Sequence, residues 1–559
     1  MKKITRYIDQ LTNRIIPNGP AQARTRHRDN DQVNLPSSST VVPSSLFPTH
    51  PRSTTVTESR SKGSLTSRVR RRIVKKLTNR RRCTSFAQLF VTAADRLESL
   101  DAMYYVGLVD IVHDDILLAI FDYCVSQNDY DDDTEVWQTL VHVCHRWRII
   151  VFESPRRLKL RLVCTHTTPA DRLDIWPPLP LYIQCPYRRE GSLENVLALF
   201  ERSNRVYRID LASFPRLDFE KISAAMEVTF PELTDLLLLS EEKAVRVLPD
   251  SFLGGSAPRL RGLSFIGIPF PGLPKLLLSA THLLFLCLED IPHSGYFSPE
   301  AIATALSTLN SLFELRLEFQ SPLSRPDRRP PPPTPFAFPT LTEFWFKGAT
   351  EYLEDLMARI SAPGLRRLDI TFFNQIIFDT PQFIQFISRT PTFMAPDLAL
   401  LIFEDGASRV GFSSQTPGYE QFEIKIPCIE LDWQVSSMEQ VFTSCLPHLS
   451  TLEGLFIGTR GDWLPGWQDN VENTLWLELL LPFTTVKNLY ISEEFARRIV
   501  PALQDLVEDR RTDVLPVVET IFLDGLEASG PIEKGIGQFV AMREVTGHPV
   551  AVTRWDRSY

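Results

Sequence analysis

The sequence predicts an α/β protein in three parts: a disordered N-terminal arm over residues 1–84, a small helical domain over 85–165, and an irregular solenoid of strand–turn–helix units over 166–559. Three observations predict it. An apolar triplet spaced i, i+3, i+5 returns eleven times between residues 206 and 523. Two wide apolar stripes at helical spacing stand before it, between residues 112 and 152. A formal net charge of −8 over 559 residues hides a sharp division: residues 1–85 hold 19 Lys and Arg against four acids (Asp9, Asp29, Asp31, Glu58), a net of +15, which leaves −23 for the rest.

Composition already excludes several classes. A chain with 43% hydrophobic residues can furnish a large core. No run approaches 18 apolar residues, which excludes a membrane-spanning helix. Eight cysteines without a CxxC pair exclude a disulfide-rich scaffold and a Cys-type zinc module.

Within the arm, residues 16–67 are dominated by Ser, Thr, Pro, Arg and Asn and offer too little apolar surface to offset chain entropy. Arg70, Arg71, Arg72, Lys75, Lys76, Arg80, Arg81 and Arg82 form a dense basic cluster. It suits a nuclear-import signal, a phosphate-binding patch or a solvated tail. The lack of interleaved aromatics argues against a single-strand nucleic-acid binder. Ile4, Tyr7, Ile8, Leu11 and Ile15 share one helical face beside Lys2, Lys3, Arg6 and Arg14, the pattern of a transit peptide, although Asp9 interrupts it. The expected location is cytoplasmic, nuclear or both.

The helical domain opens with Ser85–Phe90, an amphipathic start that can run on through Leu97 and Leu100. Asp114 is a candidate N-cap, and Ile116, Leu117, Ile120 and Phe121 give a wide stripe on three turns. The acidic run 128–133 reads as a surface loop. A second helix carries Trp137, Leu140, Val141, Val143, Cys144 and Trp147 and ends before Pro155, which forbids continuation.

These residues resemble an F-box. Asp115–Phe121 matches the family's D-I-L-x-x-I-F first helix, Leu140–Arg148 matches L-x-x-V-C-x-x-W-R, and Leu158–Leu162 is similar to the strand that leaves the domain in many fungal F-box proteins. The resemblance covers about 50 residues, 112–162, and departs from the family at His113, where proline is usual. It implies a substrate-recognition adaptor of an SCF-type cullin–RING ubiquitin ligase. Ile116, Leu117, Ile120, Phe121, Leu140, Val143, Cys144 and Trp147 would divide between the domain's own core and a surface for an Skp-family adaptor, and through it a cullin. Two stripes this wide on so small a unit exceed what a hairpin can cover alone, which favours docking. A plain core hairpin that caps the repeats is the other reading.

The triplets run from Val206/Ile209/Leu211 through Leu233/Leu236/Leu238, Leu260/Leu263/Phe265, Leu283/Leu286/Leu288, Leu312/Leu315/Leu317, Leu341/Phe344/Phe346 and Leu365/Leu368/Ile370. They continue as Leu398/Leu401/Phe403, Leu452/Leu455/Ile457, Val486/Leu489/Ile491 and Val518/Ile521/Leu523, with a degenerate copy at Cys428/Leu431/Trp433. Proline stands two places before six of the eleven (Pro231, Pro258, Pro339, Pro363, Pro396, Pro516), where composition alone predicts fewer than one. Proline suits the first position of a strand, where no ladder donor is needed. The i+3 and i+5 residues should share the inward face, and Ser298–Glu300 and Ser492–Glu494 should open helices.

Strand, turn and helix at 23–34 residues is similar to a leucine-rich repeat, although the asparagine that family places at i+8 is absent: Glu241, Ile268, Ile291, Gln320 and Phe373 stand there. The combination resembles a basidiomycete-type F-box protein with a degenerate repeat tail. Its strand wall would hold a protein substrate through outward hydrophobic and aromatic positions. Pro326–Pro335 should leave the fold as a polyproline insertion. No phosphate loop, nucleophile elbow or His-Glu-x-x-His helix is present, and His142, Cys144 and His145 lack further ligands. We expect no catalysis, metal, cofactor or membrane, and an adaptor or, failing a ubiquitin role, a repeat-type interaction scaffold.

Overall fold

The structure is a computed structural model that describes residues 113–126, 136–165 and most of 168–555. Segments 186–192, 213–215, 241–246, 270–274, 323–333, 374–377, 414–420, 460–470, 507–512 and 525–529, and a few single positions, fall outside the description. The arm with its basic cluster, the 85–112 stretch, the acidic linker and nearly all of the polyproline run therefore lie outside the described residues. The chain divides into two units at Ser154/Pro155.

The described residues of the first unit form three helices, α1 (Asp114–Ser126), α2 (Val136–Val143) and α3 (His145–Glu153). His113, rather than Asp114, opens α1. Its carbonyl accepts from the N–H groups of Ile116 and Leu117 at 3.0 and 3.2 Å, and its Nδ1 accepts from Asp115 N–H at 3.4 Å. Asp114 and Asp115 then fill the first turn, where the helix dipole favours negative charge. The missing proline is thus replaced by a side-chain cap. The second expected helix is really two. Cys144 is extended (φ −158°, ψ 169°), and its Sγ accepts from Trp147 N–H at 3.5 Å, so it caps α3. Arg148 Nε donates to the Val141 carbonyl at 3.0 Å across the break.

The second unit is mixed α/β, built on a long sheet of almost entirely parallel strands that resembles a repeat solenoid. In chain order it runs β1 (Leu162–Cys164), β2 (Leu181–Cys185), α4 (Leu193–Phe200), β3 (Val206–Ala212), α5 (Arg216–Ala225), β4 (Asp235–Leu239), β5 (Gly262–Ile266), α6 (Lys275–Ser279), β6 (Phe285–Ile291), α7 (Pro299–Leu306) and β7 (Glu314–Phe319). The pattern continues with β8 (Phe336–Ala337), β9 (Glu343–Gly348), α8 (Thr350–Met357), β10 (Ile360–Ser361), β11 (Arg367–Phe372), α9 (Pro381–Ser388), β12 (Leu398–Glu404), β13 (Ala407–Ser413) and β14 (Phe422–Ile426). It closes with α10 (Leu431–Gln440), β15 (Gly454–Gly458), α11 (Asn473–Leu480), β16 (Asn488–Ile491), α12 (Glu493–Gln504), β17 (Thr520–Asp524), α13 (Pro531–Val545) and β18 (Ala551–Trp555).

The triplets align in register. Ile209, Leu236, Leu263, Leu286, Leu315, Phe344 and Leu368 are successive partners in one row, and Leu211, Leu238, Phe265, Leu288, Leu317, Phe346 and Ile370 in the next. None is more than 2% exposed, so each contributes about 1.5–3 kcal/mol of burial. Helices α8, α10 and α12 pack on this side of the sheet, against β9, β13, β15 and β17.

The prolines do something other than expected. Leu233, Leu260, Leu341, Leu365 and Val518 each donate N–H to the carbonyl three residues earlier, at 3.1–3.3 Å, closing a turn before the strand begins. Pro231, Pro258, Pro339, Pro363 and Pro516 occupy the second place of those turns, where a fixed φ near −65° is already correct. Stacking does not need the absent asparagine. The carbonyls of Thr234, Arg261, Leu284, Phe313 and Thr342 each accept two N–H groups from the following coil, at 2.7–3.2 Å. At the other strand end Gly267 N–H donates to Glu289 O at 2.8 Å. Its φ is +69°, and a Cβ there would lie 2.3 Å from the Ser240 carbonyl, so only glycine fits.

Two of the expected copies are corrected. Strand order is β11-β14-β13-β12-β15: the chain skips two places, lays down β12 parallel to β15, turns back through Asp405-Gly406 into antiparallel β13, and fills the gap with β14. The supposed copy at Cys428/Leu431/Trp433 is no strand, since Leu431 opens α10. In β12 the buried row is Ala399, Leu401 and Phe403, and Leu401 pairs with Ile457 rather than Leu455, a shift of two residues. Ser298 caps α7 as expected, its Oγ accepting from Ala301 N–H at 3.3 Å. Glu354 of α8 accepts from the N–H groups of Gln382 and Phe383 at 2.9 and 2.8 Å and so caps the next helix in the stack.

Candidate functional site

Two surfaces carry the candidate residues, and each belongs to one unit. In the helical unit the eight adaptor candidates separate. Phe121 and Trp147 meet edge-on with centroids 4.8 Å apart, and Leu117 and Leu140 are buried with them. Ile116 is 44% exposed and Val143 50%, while Ile120 and Cys144 are half-buried. Two apolar residues missing from the sequence-based set are also outside: Tyr123 at 53% and Ile149 at 40%. Ile116, Ile120 and Tyr123 are spaced i, i+4, i+7, one face of α1; that spacing was present in the sequence beyond Phe121. Asp114 pairs with Arg146, the Nε–Oδ1 distance being 3.1 Å, and joins the first turns of α1 and α3 beside this stripe.

On the sheet, residues alternating with the triplets make the second surface. At its start Tyr182 donates its hydroxyl to Asp210 Oδ2 at 2.5 Å, Arg208 donates to the same oxygen at 2.8 Å, and all three are buried. Burial, then the Asp210 charge, pushes the Tyr182 hydroxyl far above its ordinary range. This group is closed on itself and braces β2 against β3.

The middle is different. Arg316, Trp345, Asp369 and Glu423 are successive partners across β7, β9, β11 and β14. Arg316 lies 4.0 Å above the Trp345 ring centroid and Arg367 lies 5.3 Å from it, so two guanidinium groups hold the indole. Arg316 Nε donates to Glu314 at 2.8 Å and its Nη1 sits 3.4 Å from Glu289. Arg409 bonds Glu404 at 2.9 Å and Glu423 at 3.0 Å. Burial alone would lower the Arg409 pKa, and those two carboxylates more than offset it. Two acids are raised although cations stand near both, Lys347 and Arg316 by Glu318 and Arg367, Arg409, Arg316 and Lys425 by Asp369. Burial, then repulsion from Glu289, pushes the Glu318 carboxyl up to about 7. Burial also raises Asp369, whose nearest ion-pair contact, to Arg367, is 3.8 Å long.

At the far end aromatics take the outward places. Tyr490 stacks on Phe522 at 4.5 Å and 9°, and Trp555 meets Tyr490 and Phe456 edge-on at 5.6 and 5.7 Å. No group of three His, Cys, Asp or Glu that could hold a metal occurs among the described residues, and no described helix is long and apolar enough to cross a membrane.

No family model matches the chain, and no curated protein matches it. Among solved structures it is similar to the leucine-rich repeat-containing protein LegL7 from Legionella pneumophila, at 11% identity over 68% of this chain and 97% of that one, with a TM-score of 0.21. So distant a likeness leaves the fold to be argued from its own strands.

Proposed function

We propose that the protein is a non-catalytic adaptor: its helical unit docks an Skp-family subunit of a cullin–RING ubiquitin ligase, and its sheet holds a protein substrate. The observation that carries the docking reading is the stripe of exposed Ile116 and Tyr123 with half-buried Ile120 between them, and Val143 and Ile149 also exposed, beside a described core of Leu117, Phe121, Trp137, Leu140 and Trp147. Exposed apolar helix faces are what a groove-bearing partner accepts. The F-box-like pattern of Asp115–Phe121 and Leu140–Arg148 supplies the identity of that partner. The chain's physical contribution is to raise the effective concentration of substrate at the ligase. The basic cluster at 70–82 would then serve nuclear import.

A second reading is favoured by the sheet itself: its charged middle and aromatic end offer interaction surface without help from the helices, as in a repeat-type scaffold with no ubiquitin role. Co-purification of the full chain with an Skp-family adaptor and its cullin separates the two. We expect capture by the wild type and loss with Ile116→Asp/Val143→Asp, a change at exposed positions that leaves the core intact. Failure of the wild type to bind removes the ligase reading and leaves the scaffold.

A further inference from the structure

We propose that a cleft in the helical layer, over β13 and β14, is a binding site for a small uncharged aromatic molecule, held among Phe393, Phe412 and Phe422. The cleft follows from the strand reversal. Elsewhere in the second unit neighbouring helices pack on one another: α7 on α8, α8 on α9, α10 on α11, α11 on α12 and α12 on α13. Between α9 and α10 the chain lays down three strands in succession, β12, β13 and β14, with no α-helix between them. The hairpin thus adds two strands to the floor and nothing to the roof. At ~4.8 Å per strand the floor widens by ~10 Å, which is about the distance between two packed helices. The helical layer is one helix short, and α9 makes its contact with the turn Val441–Cys445 that continues α10.

The cleft at this seam spans about 440 Å³, the solvent at its mouth included. Its apolar walls are Ile387, Phe393, Phe412, Phe422 and Leu446, none more than 7% exposed, so they are packed core residues that stand ready without rearrangement. Phe412 stacks on Phe422 at 5.5 Å and 16°, and Phe393 leans on the same ring at 5.8 Å and 38°. Ring faces and edges of this kind favour a further aromatic ring. Thr392, whose hydroxyl donates to the Leu365 carbonyl, and Gln421 add polarity without charge. No ionisable side chain lines the cleft, so a charged ligand would lose its hydration with nothing to replace it. The volume lies at the lower end of the range for small-molecule sites, which suits one or two rings and excludes a long acyl chain.

The test is fluorine NMR of the full chain with 4-fluoroanisole and 4-fluorobenzoate, a neutral and an anionic probe of similar size. We expect saturable broadening of the neutral probe, at one site per chain, and none of the anion. Leu446→Trp fills the cleft and should weaken binding at least ~10-fold. Ile387→Phe does the same by a smaller change, should the first variant not fold, and urea unfolding reports which variants are folded. Ile116→Asp/Val143→Asp should leave binding unchanged. Absence of saturable broadening, equal binding of the anion, or undiminished binding by a folded filling variant would overturn the proposal. So would loss with Ile116→Asp/Val143→Asp, which marks adsorption on the exposed helical stripe. Binding that appears only when residues 414–420 are replaced by Gly and Ser would make the chain's own segment the occupant, and equally overturns it. Amide exchange on the wild type is independent of any variant: saturating 4-fluoroanisole should slow exchange at Phe393, Gln421 and Phe422, and protection confined to α1–α3 contradicts the assignment. Adaptor capture is read on the helical unit, so either result there leaves this one interpretable.

Discussion

The helical unit and the sheet unit treat apolar side chains in opposite ways. Along the sheet the triplet residues from β3 to β11 are no more than 2% exposed, because each coil lays its Leu or Phe against the same row of the coil before and after. The helical unit buries Leu117, Phe121, Trp137, Leu140 and Trp147 but leaves Ile116, Tyr123, Val143 and Ile149 between 40% and 53% exposed. A repeat array gains covered surface with every coil, whereas the three described helices leave part of their apolar surface uncovered. An apolar residue inside the sheet is therefore read as stability, and one outside on the helices as docking.

The largest expected effect tests that division. Leu286→Ala and Phe121→Ala, each at a fully buried position, should cost ~2–5 kcal/mol in urea unfolding, while Ile116→Ala and Val143→Ala should change stability by less than ~0.5 kcal/mol. Comparable losses at both kinds of position would erase the distinction. A smaller effect sharpens the account of the sheet's charged middle. The Glu318 pKa of about 7 in the fold lies above its ordinary 4.5, so the folded state binds the extra proton and loses stability as pH rises from 4.5 through 7. Glu318→Gln should match the wild type near pH 4.5 and exceed it by ~2 kcal/mol at pH 8. Next comes the helix break. Cys144→Ala removes the cap of α3 and should cost ~1 kcal/mol, whereas Cys144→Ser keeps an acceptor and should be near neutral. Smallest is Pro258→Ala, expected to cost ~0.5 kcal/mol through the freedom it returns to the unfolded chain.

Periodicity made most of the sheet legible, because burial on one face imposes the same alternation on every strand. The strands it missed each break that alternation for a physical reason. In β2 the register shifts between Leu181 and Tyr182, and four of its five residues are buried, Tyr182 among them, which erases the alternation. In β18 the place of the second apolar residue is held by Arg554, which a terminal strand tolerates. The reversal at β12–β14 was marked by Asp405-Gly406 between two alternating runs, a hairpin signal masked by a triplet that fitted two residues out of place. In the helices the buried candidates were identified from the stripes, but their division between inside and outside was not, since Ile116 and Leu117 are adjacent and only packing decides which turns inward. The Cys144 break was hidden because a cap and a mid-helix residue share the same apolar spacing. The raised carboxylates Glu318 and Asp369 had no sequence signal, because burial is what raises them and it depends on strands that distant parts of the chain lay beside β7 and β11.

Amide hydrogen exchange of the full chain with and without a purified Skp-family adaptor tests the central claim most directly. The account predicts new protection over Asp114–Ser126 and Val136–Glu153, abolished by Ile116→Asp/Val143→Asp, with the strands β3–β18 unchanged. No added protection in those helices, or protection confined to the sheet, would contradict it.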